Sequence, residues 1–400
     1  MVFDAYADAV LKEIEARREE ISAASSVNTL YIGGGTPSVL PLDVLSRIVQ
    51  SLVVESEGAV TPNPPRSALR PVSPAASHPF MWPRAATGSA ATPLPAASQK
   101  GWDEFTVEVN PDDIVERGEE YVRGLIELGV NRISMGVQSF DDGILKWMNR
   151  RHDSARAVKA FEILRSCGVR NISIDLIFGL PQMEDKTWTE TIGKALELAP
   201  EHISAYQLSI DEESALAEMV SRGEFAEAGD EQCRRQYDIL CERLSKAGYL
   251  HYEISNFALP GFEAIHNSAY WRRVPYVGLG PGAHSLSAGG VRSWNSQEIP
   301  QRLSDGKLLS YSREEEILTL EDIRIERIML PLRTDAGLPE KELRSLSGDE
   351  AVDRLLSEGA LVPVPERSRR DRWFDSAHQP TIRIPEDHFF TSDDIIRKLI

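Results

Sequence analysis

Residues 171–181 read Asn-Ile-Ser-Ile-Asp-Leu-Ile-Phe-Gly-Leu-Pro. Positions 172–178 form a near-continuous apolar run rich in isoleucine, and Gly179 and Pro181 stop it. A run of that length between turn formers reads as a strand buried in a parallel sheet. The flanks agree: residues 154–166 and 187–198 carry apolar positions at helical spacing, and 202–210 returns to a strand pattern. Further outward, strands are predicted at 29–33, 104–109 and 131–137, with a helix at 114–128. Five strands alternating with helices over short connections predict an α/β fold with a parallel sheet, its strands buried on both faces.

The ends of the chain extend the pattern. Phe3, Tyr6, Val10, Leu11 and Ile14 give one apolar stripe to a helix over Phe3–Glu20. Beyond a helix at Asp230–Gly248, residues 249–294 are rich in glycine, histidine and aromatics. Helices return at 318–330, 340–346, 351–358 and 392–400, with a short strand at 381–384. Between Thr61 and Pro95 lie nine of the 24 prolines, among Ala, Ser and Thr, with no period of 2 or 3.6. Such a composition buries too little apolar surface to offset the entropy of ordering. The expected organisation is a barrel-like unit over 1–55 and 102–230, a disordered insertion at 56–101, an extension at 231–312 and a mostly helical, winged-helix-like unit at 313–400.

Composition narrows the function. The net charge is −18, which disfavours general binding to nucleic acid or anionic membranes. No run approaches the roughly 18 apolar residues of a membrane span. The three cysteines, Cys167, Cys233 and Cys241, cannot build a disulfide scaffold or a four-cysteine metal site, and they fit a reducing, cytoplasmic setting. No Gly-x-Ser-x-Gly elbow or His-Glu-x-x-His helix is present, so hydrolase readings are weak.

In alternating α/β folds the chemistry gathers at the carboxyl ends of the strands. There the chain places Gly33-Gly34-Gly35-Thr36-Pro37, Glu108 before Asn110-Pro111, Gly136-Val137-Gln138, Asp175 before Gly179, and Tyr206-Gln207. Triple glycine lets backbone N–H groups approach a ligand, or simply makes a tight turn. A dinucleotide fingerprint is disfavoured, because the third glycine is missing and Pro37 follows at once. Glu108 and Asp175 are carboxylates inside apolar strands, so each needs a partner. That partner is either a cation such as Arg132 or Arg150, or the hydroxyls or amine of a cofactor. His266, in His-Asn-Ser-Ala-Tyr-Trp at 266–271, reads as an exposed imidazole beside two aromatics. It fits a metal or heme ligand, or a loop-bracing hydrogen bond.

Taken in order, six motifs carry a resemblance. They are Tyr-Ile-Gly-Gly-Gly-Thr-Pro-Ser at 31–38, Glu-Val-Asn-Pro at 108–111, Asn-Arg-Ile-Ser-Met-Gly-Val-Gln-Ser-Phe at 131–140, Asp-Leu-Ile-Phe-Gly-Leu-Pro at 175–181, Tyr-Glu-Ile-Ser-Asn-Phe-Ala at 252–258 and His-Asn-Ser-Ala-Tyr-Trp at 266–271. Together they closely resemble the radical SAM family of oxygen-independent coproporphyrinogen III oxidase-like proteins, over nearly the whole chain outside the insertion. The last motif points to the heme chaperone (HemW) branch. The resemblance implies a partial (β/α)6 barrel lacking its first strand, plus the small C-terminal helical unit. It implies an S-adenosylmethionine (SAM) site of Gly34, Gly35, Thr36, Glu108, Gln138, Arg150 and Asp175. Thr36 and the glycines would hold the methionine amino end, Glu108 and Asp175 the ribose or amine, and Arg150 the carboxylate. His266 would contact heme, which would pass to heme-accepting proteins. The alternative within the family is the coproporphyrinogen oxidase reaction itself; a third reading is a barrel that binds a nucleotide without redox chemistry.

One departure is large. The family ligates a [4Fe–4S] cluster through Cys-x3-Cys-x2-Cys, on a loop before the helix read here at Phe3–Glu20. Only Met1 and Val2 precede that helix, and the three cysteines lie at 167, 233 and 241. This chain is therefore expected to hold no cluster and not to act as a radical SAM enzyme. A start upstream of Met1 is the preferred account, over true loss of the cluster. A missing leader would bring mitochondria or plastids into play.

Overall fold

The computed structural model describes residues 2–23, 28–52, 101–210, 215–300, 308–364 and 380–400. The insertion expected at 56–101 lies outside them, apart from Gly101. The main sheet is built from β1 (Thr29–Ile32), β2 (Glu104–Val109), β3 (Arg132–Gln138), β4 (Ile172–Phe178), β5 (His202–Gln207), β6 (Leu250–Glu253) and β7 (Asn256–Ala258). Their order is β1-β2-β3-β4-β5-β7-β6. β1 to β5 run parallel, and the β6–β7 hairpin closes the far edge antiparallel. The five strands expected from sequence are the five parallel strands, and the sheet is a curled half-barrel.

Helices connect and cover the strands. They are α1 (Val2–Ala16), α2 (Arg18–Ala23), α3 (Leu42–Leu52), α4 (Pro111–Glu127), α5 (Asp142–Trp147), α6 (Ser154–Ser166), α7 (Asp185–Leu198), α8 (Ala215–Ser221), α9 (Asp230–Lys246) and α10 (Ile265–Trp271). Local chemistry sets their starts. Pro111 begins α4, where its missing N–H costs nothing. Asp141 and Asp153 cap α5 and α6 by accepting the N–H groups of Ile144 and Arg156. The helix expected over Phe3–Glu20 is divided at Arg17 into α1 and α2. There Arg17 turns inward to Glu13 and donates to the Gly278 carbonyl and the Ser285 hydroxyl.

The rest of the chain forms two small sheets and a helical cluster. β8 (His284–Leu286), β9 (Val291–Asn295) and β10 (Arg313–Ile317) make one antiparallel sheet. After α11 (Leu320–Leu332) come β11 (Leu338–Pro339), α12 (Glu340–Ser347), α13 (Asp349–Ser357), β12 (Val362–Pro363), β13 (Thr381–Arg383) and α14 (Ser392–Ile396). No helix among the described residues is long and apolar enough to cross a membrane.

The two faces of the main sheet differ, contrary to the expectation of strands buried on both sides in apolar surroundings. Phe105, Val107, Ile133, Met135, Ile172, Ile174, Leu176 and Ile203 alternate onto one face and pack beneath the helices with 0–1% exposure. At ~25 cal/mol per Å² each such side chain contributes about 2–3 kcal/mol. Most of the other positions are polar: Thr29 and Tyr31, then Glu104, Thr106 and Glu108, then Arg132 and Ser134, then Ser173 and Asp175, then His202, Ser204 and Tyr206, with Gly136 and Ile177 the exceptions. Period-two alternation puts these on the concave face, and hydrogen bonds between neighbouring strands join them there. Toward the strand starts this lining is closed off, with Glu104, Thr106, Arg132, Ser173 and His202 all buried. Toward the carboxyl ends it opens, and Tyr31 and Tyr206 reach 40% and 46% exposure.

Candidate functional site in the concave face

The floor of the half-barrel is sealed by the segment that leads into α10. Arg132 donates to the carbonyl of Phe262 at 3.2 Å. The Tyr252 hydroxyl accepts the N–H of Ala264. Glu104 accepts the N–H groups of Ile265 at 2.8 Å and His266 at 3.1 Å. The first orphan donors of a short helix thus end on a buried carboxylate.

His266 is half-buried rather than exposed. Its Nδ1 lies 2.8 Å from Thr29 Oγ1 and its Nε2 2.9 Å from the Tyr270 hydroxyl. Its ring stacks on Tyr31 with centroids 5.1 Å apart and planes 15° from parallel. Burial pulls its pKa down, outweighing the opposite pull of Glu104, so the imidazole is neutral at pH 7. Of the two aromatics beside it in sequence, Tyr270 meets its edge. Trp271 instead lines a cavity of about 350 Å³ with Arg273, Glu326 and Leu338.

At the carboxyl ends, Glu108 accepts the Tyr31 hydroxyl at 2.5 Å and the Gly34 N–H at 3.2 Å. Gly33 has to be glycine: a Cβ there would sit 2.3 Å from Tyr31 and 2.6 Å from Glu108 Oε1. Gly34 and Gly35 have φ of +80° and +147°, a region that L side chains avoid, and open space above them. Asp175 accepts Ser134 Oγ at 2.9 and 3.1 Å and Ser173 Oγ at 3.2 Å. Desolvation pushes its pKa up to about 6; the serine hydrogen bonds oppose this, and the charge of Glu108 adds to it. Neither carboxylate is in a salt bridge with Arg132 or Arg150, so the cation-partner account is not what the fold uses among the described residues.

Of the remaining expected residues only Gln138 is placed beside this opening by its contacts; among the described residues no contact brings Thr36 or Arg150 to Glu108 or Asp175. Gln138 ends β3 at a bulge, with φ of +69°, and a Cβ on Gly136 would lie 2.9 Å from its Nε2. Gly136 is in register with Asp175, so the Gln138 amide lies above that pair. A non-glycine residue in this conformation is strained, and such strain collects at ligand sites. Arg150 is half-buried, in no ion pair among the described residues, and desolvation lowers its pKa. Thr36 precedes the 3-10 turn Pro37–Val39 without its hydroxyl capping it. Gly34, Glu108, Gln138 and Asp175 thus share one rim, while His266 belongs to the floor and reaches the rim through Tyr31.

Several participants were missed in the sequence. Ser173 links Asp175 to His202 Nδ1 at 2.8 Å, and His202 Nε2 lies 2.8 Å from the Tyr252 hydroxyl. Burial keeps His202 neutral. The available signal was the alternation of Ser173 and Asp175 with isoleucines, which the apolar run concealed.

Comparison with known proteins places this geometry. Residues 3–195 match the radical SAM superfamily model. Heme chaperone HemW of Bacillus subtilis is 32% identical over 344 residues, covering 84% of this chain and 79% of the relative. Heme chaperone HemW of Lactococcus lactis is 30% identical over 335 residues, covering 84% and 75%. The mitochondrial radical S-adenosyl methionine domain-containing protein 1 of Danio rerio is 27% identical over 98% of this chain and 83% of its own. In fold, the chain resembles the coproporphyrinogen III oxidase HemN of Escherichia coli, with a TM-score of 0.66 at 19% identity, covering 99% and 83%. The chain belongs to the heme chaperone HemW family of the radical SAM superfamily.

Proposed function

We propose that this protein is a heme chaperone: it binds heme through His266 and passes it to heme-accepting proteins. The observation that carries this reading is the state of His266. A neutral imidazole, braced from three sides on the floor of the half-barrel, has a lone pair to give to iron. Heme would bring the iron and a porphyrin face; the chain supplies the ligand, its orientation through Glu104, and the aromatic ring of Tyr270 beside it. To ligate iron, one ring nitrogen has to leave Thr29 or Tyr270, a modest cost for an exchange of neutral hydrogen bonds.

The rim fits SAM. Glu108 and Asp175 are acceptors for ribose hydroxyls or an ammonium group. Gly34 and Gly35 offer open backbone beside them with Thr36 next in the chain, Gln138 closes the rim, and Arg150 is a cation in no ion pair among the described residues. SAM would supply a sulfonium cofactor there. The cysteines do not fit a [4Fe–4S] cluster: among the described residues no three His, Cys, Asp or Glu side chains converge as metal ligands. The relatives at 30–32% identity are named heme chaperones, and this favours the chaperone reading over the oxidase one. Three free thiols fit a reducing compartment, and we place the protein in the cytoplasm.

Heme titration followed at the Soret band tests the reading. The wild type is expected to bind, and a folded His266→Ala variant to bind at least about tenfold more weakly. Equal affinities would reject His266 as the heme contact.

A further inference from the structure

The geometry points to Tyr31 as a positioning residue that ties the SAM-type rim to the imidazole of His266. Its hydroxyl donates to Glu108 at 2.5 Å, and its ring lies stacked on His266 at 5.1 Å. One rigid side chain therefore touches both the carboxylate at the mouth and the imidazole on the floor. This inference rests on the proposed function for its meaning, and on the geometry alone for its existence.

The two contacts constrain each other. Tyr31 sits on β1, which pairs only with β2 among the described residues; the residue is 40% exposed, while its ring is covered on one side by His266. The bond to Glu108 fixes the hydroxyl end, and the stack on His266 fixes the ring face. That bond is charge-assisted and short, and the phenol keeps its proton, because burial and the adjacent Glu108 both raise its pKa. The ring so held covers one face of His266, whose two nitrogens are already engaged by Thr29 and Tyr270. Glycine at 33 serves the same contact, since any side chain there would collide with both Tyr31 and Glu108. A ligand that takes Glu108 Oε1 for its own hydroxyl or amine competes directly with the phenol, which occupies that oxygen. The ring is then released and the imidazole uncovered. By linkage, a heme that pulls His266 from beneath the ring loosens Tyr31 and frees Glu108 for the rim ligand. The device needs no movement of the sheet, only one rotamer change of Tyr31.

The test is a double-mutant cycle of Tyr31→Phe and Glu108→Ala, read by the rate at which diethylpyrocarbonate modifies His266, with peptide mapping to isolate that residue. Each single variant is expected to raise the rate roughly three- to tenfold, and the double variant to add little, because both break the same bond. Direct loss of the Glu108 charge would act equally in both Tyr31 backgrounds. Additive effects, or no effect of Tyr31→Phe, therefore overturn the inference. Circular dichroism and thermal melting show which variants are folded. Tyr31→Phe keeps the ring and its packing, and supplies a folded variant if Glu108→Ala fails. The readout requires neither heme nor SAM. If His266→Ala leaves heme affinity unchanged, the chaperone reading fails while the Tyr31 link is still judged on its own cycle.

Discussion

Glu104, the first residue of β2, accepts the backbone N–H of His266 at 3.1 Å and that of Ile265 at 2.8 Å. The residues are more than 160 positions apart, and this contact fixes α10 onto the floor of the half-barrel. Both donors and the acceptor are buried or half-buried, so removing the carboxylate leaves N–H groups without partners.

Glu104→Ala is therefore expected to lower stability by about 2–4 kcal/mol, and Glu104→Gln, which keeps one acceptor oxygen, by less. Heme affinity should fall in both, although His266 remains. Urea denaturation and Soret titration measure the two effects. A Glu104→Ala variant as stable as the wild type would remove this contact from the account.

Adjacent glycines should behave differently. Gly33→Ala puts a methyl group 2.3 Å from Tyr31 and 2.6 Å from Glu108, so it should break the Tyr31–Glu108 contact and weaken binding of S-adenosylhomocysteine. Gly34→Ala meets nothing within 4 Å but has φ of +80°, so it should cost about 1 kcal/mol of backbone strain and perturb the site less. Calorimetric titration and thermal melting of the two variants separate the cases. The reverse ranking in ligand affinity would show that the close approach at Gly33 is not what the site depends on.

The parallel strands were legible because each is a short β-prone segment between helical patterns, three of them closed by Gly, Asn or Pro (Gly33, Asn110-Pro111 and Gly179), and the cluster of groups at their carboxyl ends followed from topology alone. The polar inner face was not. In β4 the serine and aspartate alternate with isoleucines and leucine, and the small Ser173 and single Asp175 did not break the impression of a continuous apolar run. Nor could sequence show that His266 lies beneath Tyr31. That contact depends on Glu104 and Tyr252 seating α10, a long-range arrangement that local periodicity does not encode. The cation partners proposed for Glu108 and Asp175 failed for a related reason. The hydroxyls of Tyr31, Ser134 and Ser173 serve instead, and hydroxyl partners leave no charge pattern to read.

Glu253 gives a pH-dependent prediction for stability. It is fully buried, with Oε1 lacking a hydrogen-bond partner among the described residues, and burial pushes its pKa up to about 7, against the pull of Ser255, Asn256 and Trp271. The folded form thus keeps a proton that the unfolded chain releases near 4.5. Stability from this linkage is complete below pH 4.5 and is lost as the pH rises through 7, by on the order of 2–3 kcal/mol. Glu253→Gln should remove that loss, so its stability relative to the wild type should grow between pH 4 and pH 8. Parallel stability curves for the two proteins would contradict the assignment.

Asp175 gives the corresponding prediction for the rim. Its pKa of about 6 means that it is ionised at pH 7.5 and mostly protonated at pH 5. An ionised carboxylate accepts ribose hydroxyls more strongly than a protonated one, which has to spend its own proton on an acceptor. The groups of S-adenosylhomocysteine itself do not titrate between these values, so the protein sets the pH dependence. Affinity for that ligand should therefore fall roughly tenfold from pH 7.5 to pH 5, following the ionised fraction of Asp175. Asp175→Asn should bind more weakly at pH 7.5 and show a flat profile. Ser134→Ala removes a hydrogen bond that favours the ionised form, so it should move the midpoint of the wild-type profile to higher pH. Isothermal titration calorimetry across the range reads all three. A pH dependence that persists unchanged in Asp175→Asn would show that another group governs the site, and the ribose assignment of Asp175 would then have to be given up.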